Sequence, residues 1–140
     1  MTAPRAVPVA EAPLVARSIA ATARPDIKSP GGDSMWRLSD GGRLQRSTDR
    51  GATWQVQPSG VLADLLAGSA PSATVCWIVG RDAAIIVSTD GATWTLRPFP
   101  EPVDLIAVEA ADARSATVTT RDGRRFATLD GGVTWTARRN

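Results

Sequence analysis

Three stretches of the chain repeat one phrase: STDRGATW at residues 47–54, STDGATW at 88–94 and TLDGGVTW at 128–135. Their tryptophans, Trp54, Trp94 and Trp135, lie 40 and 41 residues apart. A fixed period of this size with strand-forming content marks a stacked repeat such as a propeller blade. Other segments recur with it. Asp64-Leu65-Leu66-Ala67 returns as Asp104-Leu105-Ile106-Ala107, and Asp26-Ile27 is a shorter first copy. Trp36-Arg37-Leu38 corresponds to Trp77-Ile78-Val79, with Ala116-Thr117-Val118 read as the third member. Arg43-Leu44-Gln45-Arg46, Ala84-Ile85-Ile86-Val87 and Arg124-Arg125-Phe126-Ala127 align in the same way.

Each repeat divides into four runs rich in Val, Ile, Leu, Thr and Trp, punctuated by Gly, Asp, Ser or Pro, as short antiparallel strands require. The runs predict strands at 62–68, 74–79, 84–89 and 92–97 in the second repeat, and at 103–109, 115–120, 124–129 and 133–138 in the third. The first repeat spans 25–58, and its opening strand is cut short by SPGGD at 29–33. No stretch sustains a 3.6-residue period. The predicted fold is all-β and propeller-type: about three four-stranded blades over 25–140, a partial propeller or one completed by oligomerisation. Residues 1–24 are rich in Ala and Pro, lack Gly and aromatics, and read as a linker or tail. Arg17 interrupts the hydrophobic region a cleavable signal needs, so no signal peptide is read there, and no run approaches the length of a membrane span.

The phrase has a local physical role. Asp49, Asp90 and Asp130 are expected to accept backbone amides of their own turn, beside Ser47, Ser88 and Thr128. Gly51, Gly91 and Gly131 or Gly132 supply a positive φ. The pairs Thr53-Trp54, Thr93-Trp94 and Thr134-Trp135 are expected to start the next strand, with the indoles packed between sheets. Trp94, in the central repeat, is expected to be the more deeply used indole and Trp36 the less. The second copy is one residue shorter, so its turn should differ.

Composition narrows the chemistry. The chain has 140 residues, 43% hydrophobic and 21% charged, which fits one domain. It lacks His and Tyr, which removes His-based acid–base catalysis, His-ligated zinc and a Tyr nucleophile. The single Cys76 cannot form an intrachain disulfide or a multi-thiolate site, and beside Trp77 it reads as buried and inert. The Asp-Gly pairs at 40–41, 90–91, 122–123 and 130–131 read as hairpin turns and not calcium loops. No cofactor and no metal are expected. With 16 basic and 14 acidic residues the charge is +2, too small to indicate nucleic acid. The carboxylates Asp64, Asp104, Glu101 and Glu109 could serve a glycosidase, but Asp64 and Asp104 occupy matching repeat positions, which favours a shared strand-start role. Arginine is the distinctive residue. Arg81 matches Arg121, Arg43 matches Arg124, and Arg97 matches Arg138, so a radial array would set them at equal radius and height as a candidate partner surface.

The pattern Ser/Thr-x-Asp-x-Gly-x-Thr-Trp resembles the Asp-box, or bacterial neuraminidase repeat, of β-propellers. CWIVGRDAAIIVSTDGATW (76–94), PFPEPVDLIAV (98–108) and TTRDGRRFATLDGGVTW (119–135) together resemble the photosystem II stability and assembly factor family, over residues 25–140. The resemblance implies a seven-bladed propeller, an extracytoplasmic setting, and a chaperone-like docking surface for membrane-protein assembly. This chain departs from it in supplying three repeats, where closed propellers have about four to eight. Its terminal blades each have an unshared flank, and the last strand, Thr134-Trp135-Thr136-Ala137, reads like an interior one without a polar cap. A symmetric dimer completing a six-bladed ring and the tail folding back over one flank are the competing solutions.

The function expected is therefore a non-catalytic protein–protein interaction or assembly-factor scaffold, with a protein partner and self-association to complete the propeller. Neither nucleic acid nor direct membrane insertion is expected. The alternative is carbohydrate binding or glycoside hydrolysis, for which Trp36 and Trp77 would be stacking platforms. Sialidases of the Asp-box class resemble one another in a Tyr nucleophile that this chain lacks.

Overall fold

The computed structural model describes residues 26–138, so the tail at 1–24 and the trailing Arg139 and Asn140 lie outside the described residues. Twelve strands follow one another: β1 (Ile27–Lys28), β2 (Met35–Leu38), β3 (Leu44–Ser47), β4 (Gln55–Gln57), β5 (Leu65–Ser69), β6 (Cys76–Gly80), β7 (Ile85–Ser88), β8 (Thr95–Leu96), β9 (Leu105–Ala110), β10 (Ala116–Thr120), β11 (Arg125–Thr128) and β12 (Thr136–Arg138). They form three four-stranded sheets, β1–β4, β5–β8 and β9–β12, each an up-and-down antiparallel meander. Within the described residues there is no α-helix. These are three propeller blades, in the order the repeats predict. The opening strand β1 has two residues, because the Pro30–Gly32 turn ends it.

Strand register fixes which residues are equivalent between blades. Met35 pairs with Ser47, Cys76 with Ser88 and Ala116 with Thr128, so these three pairs superpose. Thr117-Val118-Thr119, and not Ala116-Thr117-Val118, is then the true counterpart of Trp77-Ile78-Val79. The sequence alignment was off by one residue, because small and hydroxylated side chains replaced the Trp that marks the position in the other copies. In a strand a one-residue slip moves every side chain to the opposite face.

Two cores lie between the blades. The first gathers Trp36, Leu38 and Leu44 of the first blade against Leu65, Cys76, Ile78 and Ile86 of the second. The second gathers Trp77, Val79, Ile85 and Val87 against Leu105, Val108, Ala116, Val118 and Phe126 of the third. The middle blade is therefore apolar on both faces, and its β6 and β7 are buried at every residue. Trp36 and Trp77 are fully buried, whereas Trp94 is only partly so. This reverses the expected ranking of Trp94 over Trp36: a strand-centre position faces the neighbouring sheet, while a turn residue reaches the seam only from its outer edge. The box Thr-Trp pairs also precede β4, β8 and β12 instead of starting them. The Thr N–H is committed to the box Asp and is unavailable to the ladder.

The outer flanks differ from these seams. At the positions of Cys76, Ile78 and Ile86, the first blade carries Met35, Arg37 and Gln45. At the positions of Trp77, Val79, Ile85 and Val87, the third blade carries Thr117, Thr119, Arg125 and Ala127. The expectation of uncapped ends rested on β12. That strand is exposed at every residue and forms the outer edge of its blade, whereas the flank is made by β10 and β11.

Candidate functional site

An alternating meander sends successive connections to opposite ends of the blades. The Asp-box turns, between β3 and β4, β7 and β8, and β11 and β12, lie at one end. The β2–β3, β6–β7 and β10–β11 hairpins lie at the other, together with the linkers that join one blade to the next. The two ends have different chemistry.

At the box end, each Asp is consumed by its own turn. The N–H of Thr53 donates to Asp49 Oδ1 at 2.9 Å, and its hydroxyl to Oδ2 at 2.5 Å. The Ser47 hydroxyl donates to Asp49 Oδ1 at 2.7 Å and accepts the Gly51 N–H at 2.8 Å. Thr128, Asp130, Gly132 and Thr134 repeat this network at 2.5–3.0 Å. In the shorter second copy, Asp90 Oδ1 accepts the N–H groups of both Ala92 and Thr93, at 2.9 and 2.8 Å, and Thr93 Oγ1 donates to Oδ2. Donors on the charged form favour it. The Thr53 bonds, with help from Ser47, hold Asp49 down to about 2, and the Thr93 and Thr134 bonds push Asp90 and Asp130 lower still. Carboxylates so depressed and so occupied are turn-holders and not acid–base groups.

The box tryptophans clasp the preceding blade. Trp94 Nε1 donates to Gln57 Oε1 at 2.9 Å, and Trp135 Nε1 to the Pro98 carbonyl at 2.9 Å. Trp54, with no earlier blade among the described residues, turns to its own Gly51 carbonyl at 3.1 Å and lies under the Arg37 guanidinium, 4.0 Å from the ring centre.

The hairpin and linker end holds Arg81, Arg121, Arg43 and Arg124 on the hairpins; Arg97 and Arg138 stand where β8 and β12 finish, and the Arg97 side chain packs against Gly132 of the third box turn. The carboxylates flanking the blade starts reach across the seams. Asp64 Oδ1 accepts the Gly41 N–H at 2.8 Å, and Asp104 Oδ1 the Asp82 N–H at 3.0 Å. Arg81 then bridges Asp64 at 3.3 Å and Asp104 at 3.5 Å, and Arg121 meets Asp104 at 3.1 Å. The Asp82 amide, then Arg121, keep the Asp104 carboxyl below its usual range. Asp64 and Asp104 are thus tied to the blade junctions. Arg124 grips Glu101 with two parallel bonds of 2.9 and 2.8 Å and also reaches Asp122 at 3.0 Å. Those carboxylates raise the Arg124 pKa, and Arg124 in turn lowers Glu101. Arg81, Arg121 and Arg124 nevertheless stay about half exposed. Arg43 and Arg138 are exposed, whereas Arg97 is partly buried, with its Nε buried and unbonded.

Between these charges runs an apolar groove. A cavity of about 640 Å³ is lined by Leu62, Ala83, Leu96, Arg97, Phe99 and Glu101, among others. A second, of about 350 Å³, adjoins it at Val61 and Leu62 and extends to Val56 and Pro58. Leu62 is 89% exposed, Val56 78% and Leu96 59%. A continuous set of such side chains, rimmed by charge, has the anatomy of a protein-binding patch. Sequence reasoning missed these groove residues. The available signal was the retention of Leu and Phe in the Pro-containing linkers PSGVLAD (58–64) and RPFPEPV (97–103), outside any strand.

Other chemistry is sparse. Burial raises the Cys76 thiol well above its ordinary value, which disfavours the thiolate. Among the described residues no cluster of three or more His, Cys, Asp or Glu could hold a metal, and no helix is long and apolar enough to cross a membrane.

The fold defines a class: three consecutive blades of a β-propeller, with one end built on Asp turns and the other on arginines and linkers. No family model and no curated protein matches the sequence. Solved structures do match, and two of them are of YCF48, a β-propeller photosystem II assembly factor. YCF48 bound to D1 peptide superposes with a TM-score of 0.72 at 24% identity, covering 83% of this chain and 39% of that one. YCF48 from Cyanidioschyzon merolae gives 0.71 at 21% identity, covering 83% of this chain and 40% of its own. The sequence resemblance to photosystem II assembly-factor propellers is thus met in the fold, and the chain spans about two fifths of the length of these structures.

Proposed function

We propose that this three-bladed arc is a non-catalytic protein-docking module, which holds an extended segment of a partner protein along its linker end. The observation that carries this reading is the groove over Val56, Leu62, Leu96 and Phe99, whose lining includes Arg43, Arg97 and Glu101, the last held by Arg124. Apolar side chains in the groove supply burial, and the arginines, each retaining donors beyond those its carboxylates occupy, supply orientation toward acidic groups. A YCF48 propeller of like fold binds a D1 peptide, which makes a peptide segment of a membrane protein under assembly the fitting partner class. The committed box carboxylates and the absence of His and Tyr favour binding over catalysis.

The test is titration of a fluorescent peptide array, with the D1 peptide as reference, against the full chain. Leu62→Asp and Leu96→Asp alter exposed side chains, so they should leave the circular dichroism spectrum intact and weaken binding at least tenfold. Arg81→Ala with Arg121→Ala should weaken it further and reduce its salt dependence. Unchanged affinity in the Leu variants, or glycoside turnover by the folded chain, contradicts the proposal.

A further inference from the structure

The two outward flanks of the arc carry a pattern that neither seam shows. Register places Arg37, Ile78 and Val118 at one position, and Gln45, Ile86 and Phe126 at its partner position. Both positions face the preceding blade. They are apolar in the second and third blades, which have a preceding blade among the described residues, and polar in the first. On the opposite face the series are Trp36, Trp77 and Thr117, then Leu38, Val79 and Thr119, then Leu44, Ile85 and Arg125. The first two members of each are buried in a seam. The third is a Thr or an Arg. At these five positions polar substitution falls on the two outward flanks of the described blades and not inside; at two others it does not, since Met35 is apolar on the first flank and Arg46 faces the seam where Val87 and Ala127 correspond.

The local contacts agree. Arg37 turns to Asp26 at 3.1 Å and lies over the Trp54 ring, covering the indole that in the other blades reaches back to a neighbour. On the third flank the exposed Leu129 of the box turn and Ala127 of β11 line a cavity of about 450 Å³ with the polar Asp130, Thr134, Thr136 and Arg138. Joining the first flank of one copy to the third flank of another would set Arg37 and Gln45 against Thr117, Thr119 and Arg125. Two arginines and three uncharged polar side chains would lose water against a single carboxylate, Glu109, which pairs across from Thr117 on that face, whereas the interior seams are apolar at their strand centres and hold Arg46 over the Trp36 ring.

We propose that these flanks are end caps, equivalent to the polar terminal repeats of solenoid proteins, and that two copies do not join through them to complete a ring. The linker end, with its apolar groove, is then the surface left for a partner.

The test is light scattering coupled to size exclusion on the full chain, from micromolar to high micromolar concentration. The chain should show the mass of one copy throughout. Thr117→Trp with Thr119→Val and Arg125→Ile rebuilds the interior flank, and should associate as concentration rises while keeping the same circular dichroism. Arg125→Ile alone is the milder variant should the triple fail to fold, and should show the same trend. Association of the wild type that is abolished by Leu62→Asp but not by Arg125→Glu places the contact on the linker end and supports the caps. A wild-type dimer that Arg125→Glu dissociates, or rebuilt variants that stay folded and monomeric, overturns the proposal.

Discussion

Trp77→Ala should be among the costliest single substitutions in this protein. The indole is fully buried between the second and third blades, edge-on to Trp135 with ring centres 6.1 Å apart, and its Nε1 donates to the Asp112 carbonyl at 2.9 Å. Truncating a buried Trp costs about 3–5 kcal/mol, and the aromatic pair adds about 0.5–1.5 kcal/mol. Domains of this size hold about 5–15 kcal/mol in total, so the loss consumes much of the stability. Trp77→Phe keeps most of the apolar volume and loses the N–H, so it should cost about 1 kcal/mol beyond the volume lost. Trp94→Ala removes a partly buried indole held by one bond to Gln57, and about 2 kcal/mol is expected. Urea unfolding followed by far-UV circular dichroism measures all three without depending on the indole as reporter. A loss under about 1 kcal/mol for Trp77→Ala, or a larger loss for Trp94→Ala, would refute the assignment of this strand-centre Trp to the seam core.

Gly132→Ala and Gly123→Ala form a matched pair. Both sites have φ near +90°, but a Cβ on Gly132 would lie 2.9 Å from Arg97 Cγ and 3.4 Å from the Trp77 ring, while one on Gly123 meets nothing within 4 Å. Gly123→Ala should cost about 1–2 kcal/mol for the left-handed backbone alone, and Gly132→Ala measurably more in the same urea assay. Ala83 holds φ +61° where the other blades place Gly42 and Gly123, so Ala83→Gly should raise stability by about 0.5–1 kcal/mol, and a decrease would show that its methyl packs usefully. Acid should act through the boxes. Asp49 sits at about 2 when folded and near 3.9 unfolded, with Asp90 and Asp130 lowered further, so their stabilisation is complete above about pH 4 and is lost as pH falls toward 2. The urea midpoint should fall across that window, and Asp49→Asn should lessen its pH dependence; an unchanged midpoint removes the boxes from the stability account.

The repeat period made the blades legible, because a phrase with Asp, Gly and Trp at fixed offsets survives when the strands between drift. The same phrase misdirected attention to Trp94. Its conspicuous spacing reflects a hydrogen-bonded turn, whereas the fully buried Trp36 and Trp77 are placed by strand register, which spacing alone does not fix. The one-residue offset at Thr117 has the same origin: the third copy has no Trp at this position, so residue type alone sets Ala116 opposite Trp77, whereas register sets Thr117 there. That slip concealed the polar flank, since it made an interior position out of a terminal one. Of the candidate surface, the matching arginines could be read from the repeat. The groove could not, because Leu62 and Phe99 come from two linkers and Leu96 from the end of β8, and the three share an edge only once the blades stand side by side.

Hydrogen exchange on the full chain, with and without saturating bound peptide, tests the docking assignment most directly. The account predicts slowed exchange at residues 56–63 and 96–103, with the amides of the three box turns unchanged. Protection confined to the box turns, or to the flank strands β2, β3, β10 and β11, would contradict it.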